Sequence, residues 1–213
     1  MARPRHPLLS RARIIEVAGA LVDAHGLDAL STRRLATELG VAGPSLYHHF
    51  ATKTDILDAV ADAIVAEVDI SFFGTYDWPE ALRRWGQSYR SALLAHPNIV
   101  PYLAKGPGRR PAQLAMADAV YGGLVDAGWP PTRATHIGAL MRYFVAGSAL
   151  GSFALGFVDD PRVYAERYPH LRQAHRLAGR QASVDEGAFV LGLDALIDGL
   201  MHTYQETVVA LKH

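Results

Sequence analysis

The 213-residue chain contains no cysteine. That absence removes disulfides, thiolate zinc sites, iron–sulfur clusters and cysteine nucleophiles together, and it suits a reducing compartment. The chain also lacks a net charge, with 21 Lys and Arg against 21 Asp and Glu. Any polyanion must therefore be met by one part of it. Long apolar runs are missing as well. The longest uncharged stretch, Tyr143 to Val158, is 16 residues, short of the ~18 that suggest a membrane span. The basic start, Arg3-Pro4-Arg5-His6-Pro7, leads to Arg11 and Arg13 and not into the apolar core of a secretory signal. A cytoplasmic protein with no membrane contact is expected. There is no strand alternation, hairpin signal or repeat of 20–50 residues. There is no phosphate-binding glycine loop, and Gly147-Ser148-Ala149-Leu150-Gly151 lacks the spacing of a nucleophile elbow. Ten histidines are present, yet none forms a His-Glu-x-x-His pattern. His170 and His175, five apart, fall on different helix faces. No catalytic residue, metal ligand or cofactor is expected.

What the chain does contain is helix. Half of it is hydrophobic, enough for one large domain or two small ones, and nearly every segment repeats its apolar residues at the 3.6-residue period. Ser10 caps a first helix over 11–25 with Ile14, Val17, Ala18, Leu21 and Val22 inward and Gly26 ending it. A second helix begins after Ser31 or Thr32, buries Leu35, Ala36 and Leu39, and breaks at Gly40. Gly43-Pro44 opens a third of about two turns. Thr52-Lys53-Thr54-Asp55 has the form of a capping box for a fourth. Helices follow from Trp78 to before Pro97, over 112–127 and over 132–157. A polar, partly ordered connection is expected over 158–182. Ser183-Val184-Asp185-Glu186 then has the form of another capping box, for a last helix over 183–209. The fold class is all-α.

Residues 31–53 carry the densest information. Two short helices meet at Gly40, with small Ala36 allowing close approach, which is the pattern of a helix-turn-helix. Gly43, Pro44, Ser45, Tyr47, His48 and His49 face outward from the second of these helices, and hydroxyl, imidazole and apolar carbons are the groups that read base edges in a major groove. Ser31 belongs to the same DNA-binding set, and Thr32, Arg33, Tyr47 and Lys53 are placed for phosphates on either side. Charge agrees: residues 1–53 hold seven cations (Arg3, Arg5, Arg11, Arg13, Arg33, Arg34, Lys53) against four anions (Glu16, Asp23, Asp28, Glu38), so the head is +3 and the remainder −3.

Leu39-Gly40-Val41, Leu46-Tyr47-His48-His49-Phe50 and Lys53 resemble the DNA-binding signature of the tetracycline-repressor (TetR) family. Ser31-Thr32-Arg33-Arg34-Leu35-Ala36 is similar to that family's second helix, and fainter likeness runs on through Ile56-Leu57-Asp58-Ala59, Trp78, Ser88 to Leu94 and Arg110-Pro111. The resemblance implies a three-helix DNA-binding domain over 1–55 and a helical ligand-binding and dimerisation domain over 56–213, entered through a linker helix over 56–70. It also implies a homodimer that binds a palindromic operator and releases it when a small molecule binds. Trp85 and Tyr102 stand where the tetracycline repressors carry Asn and His, while Gly43 and His48 replace Gln and Trp. A different effector and a different operator are therefore expected. Trp78, Trp85, Tyr89, Tyr102, Met116, Tyr121, Tyr143 and Phe144 are the candidates for an effector cavity. The dimer helices are expected at 132–157 and 183–209, with Gly147, Gly151, Ala154, Leu193, Ile197 and Leu200 at the interface. The competing reading is an all-helical small-molecule carrier or enzyme in which 1–53 is a structural cap.

Overall fold

The computed structural model describes residues 9–104, 106 and 108–209. Arg3 and Arg5 of the basic head, Lys105, and Pro107 of the glycine–proline loop lie outside the described residues. Among the described residues there is no strand, and ten α-helices are joined by 3-10 turns. Helix α1 (Arg11–His25) starts at Ser10, whose hydroxyl accepts the Arg13 N–H, and stops at Gly26 with φ +82°. Helix α2 (Thr32–Leu39) starts at Ser31, whose hydroxyl accepts the Arg34 N–H. It is followed by α3 (Gly43–Leu46) and α4 (Lys53–Val65). The Thr52 box closes in both directions: Thr52 Oγ1 accepts from Asp55 N–H and Asp55 Oδ2 accepts from Thr52 N–H. Helix α4 ends five residues before the expected limit of 70 and unwinds through turns at Glu67 and Val68.

The remaining helices are α5 (Trp78–Ala95), α6 (Val100–Leu103), α7 (Pro111–Asp126), α8 (Pro131–Ser148), α9 (Arg162–Ala165) and α10 (Gln181–Tyr204). Two expectations fail here. Helix α8 ends at Ser148, nine residues short of 157. Gly147, Ser148, Gly151 and Ser152 fall at its last turn and just past it, glycine costing a helix about 1 kcal/mol against alanine and serine a smaller amount, and beyond it the chain runs in turns. Helix α10 begins at Gln181, so Ser183 is no cap. Glu186 instead reaches the guanidinium of Arg90, Nη1 to Oε2 2.5 Å. The 158–182 connection is a series of short turns around α9, closed by Tyr164, whose hydroxyl accepts from Val158 N–H and donates to Val158 O.

The chain divides into two compact units. One comprises the residues up to Val68 together with Ala92–Met116, and the other Asp69–Ser91 with Ala117 onward. The first unit thus keeps α4 and the 92–116 segment with the head, rather than ending at 55. Its core is Ile14, Ala18, Leu21, Val22, Leu35, Leu46, Phe50, Ile56, Val60 and Ile64 with Leu93, Ile99 and Leu103, all buried. In the second unit Trp129 packs edge to face on Trp78 and on Tyr204, and Trp78 meets Tyr204 at a tilt, all within 5.5 Å, and Phe144 stacks on Phe189 at 5.4 Å. Gly192 permits that stack, because a Cβ there would stand 2.7 Å from the Phe144 ring. Arg90, itself buried, lies over the Phe189 ring and ties α5 to the start of α10.

Candidate nucleic-acid interface

Local chemistry sets the reader. Leu35 and Ala36 of α2 and Leu46 of α3 turn inward. Between them Gly40 takes φ +66°, a left-handed conformation that costs a residue with a Cβ about 1 kcal/mol or more. The chain then reverses with Gly40 N–H on Thr37 O and Val41 N–H on Ala36 O, satisfying the last carbonyls of α2. Pro44 sits in the first turn of α3, where its missing N–H costs nothing. The helical path runs on past Leu46, since Phe50 N–H reaches Leu46 O at 3.0 Å.

That geometry divides the reader into two faces. Leu46 and Phe50 are buried, while Tyr47 is 56% exposed with Pro44 and His48 beside it. Gly43, Ser45 and His49 are half-buried, and Ser31, Arg33 and Lys53 are exposed, with Thr32 half-buried. The ten candidate DNA-binding residues thus all lie on α2 or its capping Ser31, on α3 and its continuation, or at the first residue of α4, within one unit. Sequence reasoning missed Arg11. Its Nη1 donates to His49 O at 2.9 Å, and its guanidinium lies 4.0 Å over the Phe50 ring. The start of α1 therefore holds the end of the reading turn. A hydrogen bond across 38 residues leaves no periodic signal.

The effector candidates are scattered more widely. Trp85 and Tyr89 stack at 5.7 Å, with Phe73 6.3 Å from Trp85. Trp85 is 2% exposed, and its buried indole Nε1 has no hydrogen-bond acceptor. Trp78 belongs to the Trp129–Tyr204 cluster and Phe144 to the stack on Phe189. Tyr121 and Tyr143 are exposed, and Met116 is buried. Tyr102 lies in the first unit, donating its hydroxyl to Asp58 at 3.0 Å. Partial burial, then this bond to a carboxylate, hold its phenol above the usual tyrosine range. A groove of about 560 Å³ runs along α4 beside Arg11, His49 and Arg110, and none of the eight candidates lines it. Two side chains unmarked by sequence stand out. Asp62 of α4 accepts the Ala112 and Gln113 N–H groups at the start of α7, and Gln113 keeps a buried Oε1 with no donor.

The expected interface set divides. Ala154, Leu193 and Ile197 are buried inside the chain's own core, so they are unavailable to a partner. Gly147 and Gly151 do not share a helix face, because α8 stops between them, and a Cβ on either meets nothing within 4 Å. Leu200 is half-buried. The large apolar residues left outside on α8 and α10 are Leu140, Tyr143, Val190, Leu191 and Met201. Among the described residues no group of three or more His, Asp or Glu could hold a metal ion, and no helix is long and apolar enough to cross a membrane.

Comparison with known proteins agrees with this geometry. Residues 14–60 match the family of bacterial regulatory proteins known as tetR, and residues 73–204 match the tetracycline repressor-like C-terminal domain. The chain is 31% identical over 193 residues to the class E tetracycline repressor of Escherichia coli, covering 90% of each chain. A possible TetR-family regulator from Streptomyces coelicolor A3(2) superposes with TM-score 0.74 at 31% identity, over 91% of this chain and all of that one. The TetR-family protein ActR of Streptomyces coelicolor, solved in complex with actinorhodin, gives TM-score 0.74 at 28% identity over 92% and 99% of the two chains. The chain belongs to the tetR family of bacterial regulatory proteins, and it is a DNA-binding regulator.

Proposed function

We propose that the protein is a repressor: a homodimer that seats two α2–α3 readers in successive major grooves of a palindromic operator and leaves it when an effector binds. The observation that carries this reading is the two-faced reading turn, with Leu46 and Phe50 buried and Tyr47 exposed beside His48. In it Gly43, Pro44, Ser45, Tyr47, His48 and His49 meet base edges, and Ser31, Thr32, Arg33 and Lys53 meet phosphates. Each phosphate contact by a cation makes the slope of log affinity against log salt more negative by about 0.9. The protein works by binding alone and catalyses nothing.

The second copy covers Leu140, Tyr143, Leu191 and Met201. This is supported by exposures of 71% for Tyr143 and 73% for Leu191 on helices otherwise packed into the core. For the effector, Trp85 and Tyr89 are the contacts, and Trp78 is core. A buried donor without an acceptor costs about 1–3 kcal/mol, so the unpartnered Trp85 indole favours a flat aromatic molecule with a carbonyl or other acceptor. Release is a population shift toward a form whose heads no longer fit the operator.

Selection of random duplex DNA on the purified protein tests this. A palindrome is expected, bound with a steep salt dependence. If a variant carrying both Tyr47→Ala and Lys53→Ala binds the selected duplex as well as the parent does, the reader is assigned wrongly.

A further inference from the structure

Helix α1 is held at both ends by groups that lie far away in sequence. At its start, Arg11 grips His49 O of the reading turn. At its end Val22 O accepts the Gly26 N–H at 2.7 Å, and the carbonyls beyond it have no intrahelical partner. Asn98 supplies one, its Nδ2 donating to Val22 O at 3.0 Å and to Asp23 O at 2.9 Å. His96 supplies the next contact, its Nδ1 lying 2.8 Å from Asp23 Oδ2. A carboxylate can only accept, so Nδ1 donates. Asp23 needs that donor, because a negative charge in the last turn of a helix faces the negative end of the helix dipole. The other ring nitrogen of His96 faces Glu67 at 3.9 Å. Pro97 fixes the backbone between the two gripping side chains, and Ile99 is fully buried beneath them.

The 15 residues of α1 make a rod of about 22 Å. One end is fastened to the 96–98 corner, which continues directly from α5, and the other to the recognition turn. We infer that Asn98 and His96 are positioning residues for DNA binding: acting through α1, they fix where the reading turn is carried and thereby which half-site spacing the dimer accepts. They touch neither DNA nor effector. The inference rests on the reading above, that two heads engage one palindrome.

The test uses the full-length dimer and the duplex enriched from a random pool, the same duplex with one base pair added or removed at its centre, and an unrelated duplex of equal length. Asn98→Ala should bind the selected duplex about tenfold more weakly, bind the unrelated duplex within twofold of the parent, and discriminate less between the three spacings. His96→Gln, which can still donate to Asp23, should stay close to the parent, while His96→Ala should follow Asn98→Ala. A merely structural role would weaken all duplexes by the same factor, and that result overturns the inference, as does an Asn98→Ala protein that binds like the parent. If Asn98→Ala fails to fold, the His96→Ala and His96→Gln pair decides by the same readouts. A parent protein that enriches no palindrome overturns the underlying reading and this inference with it. An enriched palindrome bound unchanged by the variants overturns only the role of the corner.

Discussion

Gly122 and Gly123 are neighbours on α7, and the structure gives them opposite tolerances. A Cβ on Gly122 meets nothing within 4 Å, whereas one on Gly123 would stand 2.7 Å from Phe73 Cδ1, 3.1 Å from its Cβ and 3.2 Å from its Cγ. Turning the ring cannot relieve the contact with Phe73 Cβ. The Ser71–Gly74 turn must move, and Phe73 also packs 6.3 Å from Trp85. Replacing either glycine by alanine gains the same helix propensity, about 1 kcal/mol, so the difference between the variants isolates the cost of overpacking. That cost is about 1–3 kcal/mol. For a chain of this length each kcal/mol moves the melting temperature by about 2–4 °C. Gly122→Ala should therefore melt at or above the parent, and Gly123→Ala about 2–12 °C below Gly122→Ala. Thermal unfolding followed by circular dichroism at one fixed protein concentration measures both, since dimer melting depends on concentration. A Gly123→Ala protein that melts as high as Gly122→Ala refutes the close packing of Phe73 on α7.

Further predictions concern buried polar groups. Gln113→Met keeps the volume and removes an unpartnered buried acceptor, so the variant should gain about 1–2 kcal/mol in denaturant unfolding; a loss of stability would mean that the Gln113 carbonyl is satisfied. The Arg90 pair should be asymmetric. Glu186→Ala removes the carboxylate from a buried guanidinium that keeps its bond to Asp185 O and should cost about 1–3 kcal/mol, while Arg90→Met, which removes the charge and keeps an apolar chain over Phe189, should lie within about 1 kcal/mol of the parent. Asp69 is held below its ordinary 3.8 by the Ser71 hydroxyl and then the Ser71 N–H. A depressed carboxylate stabilises the fold above its unfolded value and loses that contribution as pH falls through the folded one. Ser71→Ala should therefore raise the Asp69 titration midpoint toward 3.8 by carboxyl NMR and flatten this part of the acid limb, and an unmoved midpoint would remove Ser71 as the cause.

The parts of this protein that could be read from sequence are those whose cause is local. Ser10, Ser31 and Thr52 cap helices because their hydroxyls reach N–H groups three residues on, and such caps are written within four letters. Gly40 reverses the chain because only local conformation is at stake, so the two short helices, the turn between them and the inward Leu35, Ala36 and Leu46 were visible before any packing was known. The 183–186 box shows where this reasoning stops: the same four-letter pattern fails because Arg90, 96 residues away, takes Glu186. Leu193 and Ile197 show a second limit. Helix α10 carries apolar residues on more than one face, and periodicity marks the stripes without saying which one the chain buries itself and which it leaves outside. Tertiary packing put Leu193 and Ile197 in the core and Leu191 outside. Only the folded chain could also bring Asn98 to the end of α1, Asp62 to the start of α7 and Arg11 to His49, because each contact joins groups separated by tens of residues. Sequence by itself determined where most of the helices start, through their local caps, and the turn at Gly40. Packing at a distance decided which side chains hold that turn in place.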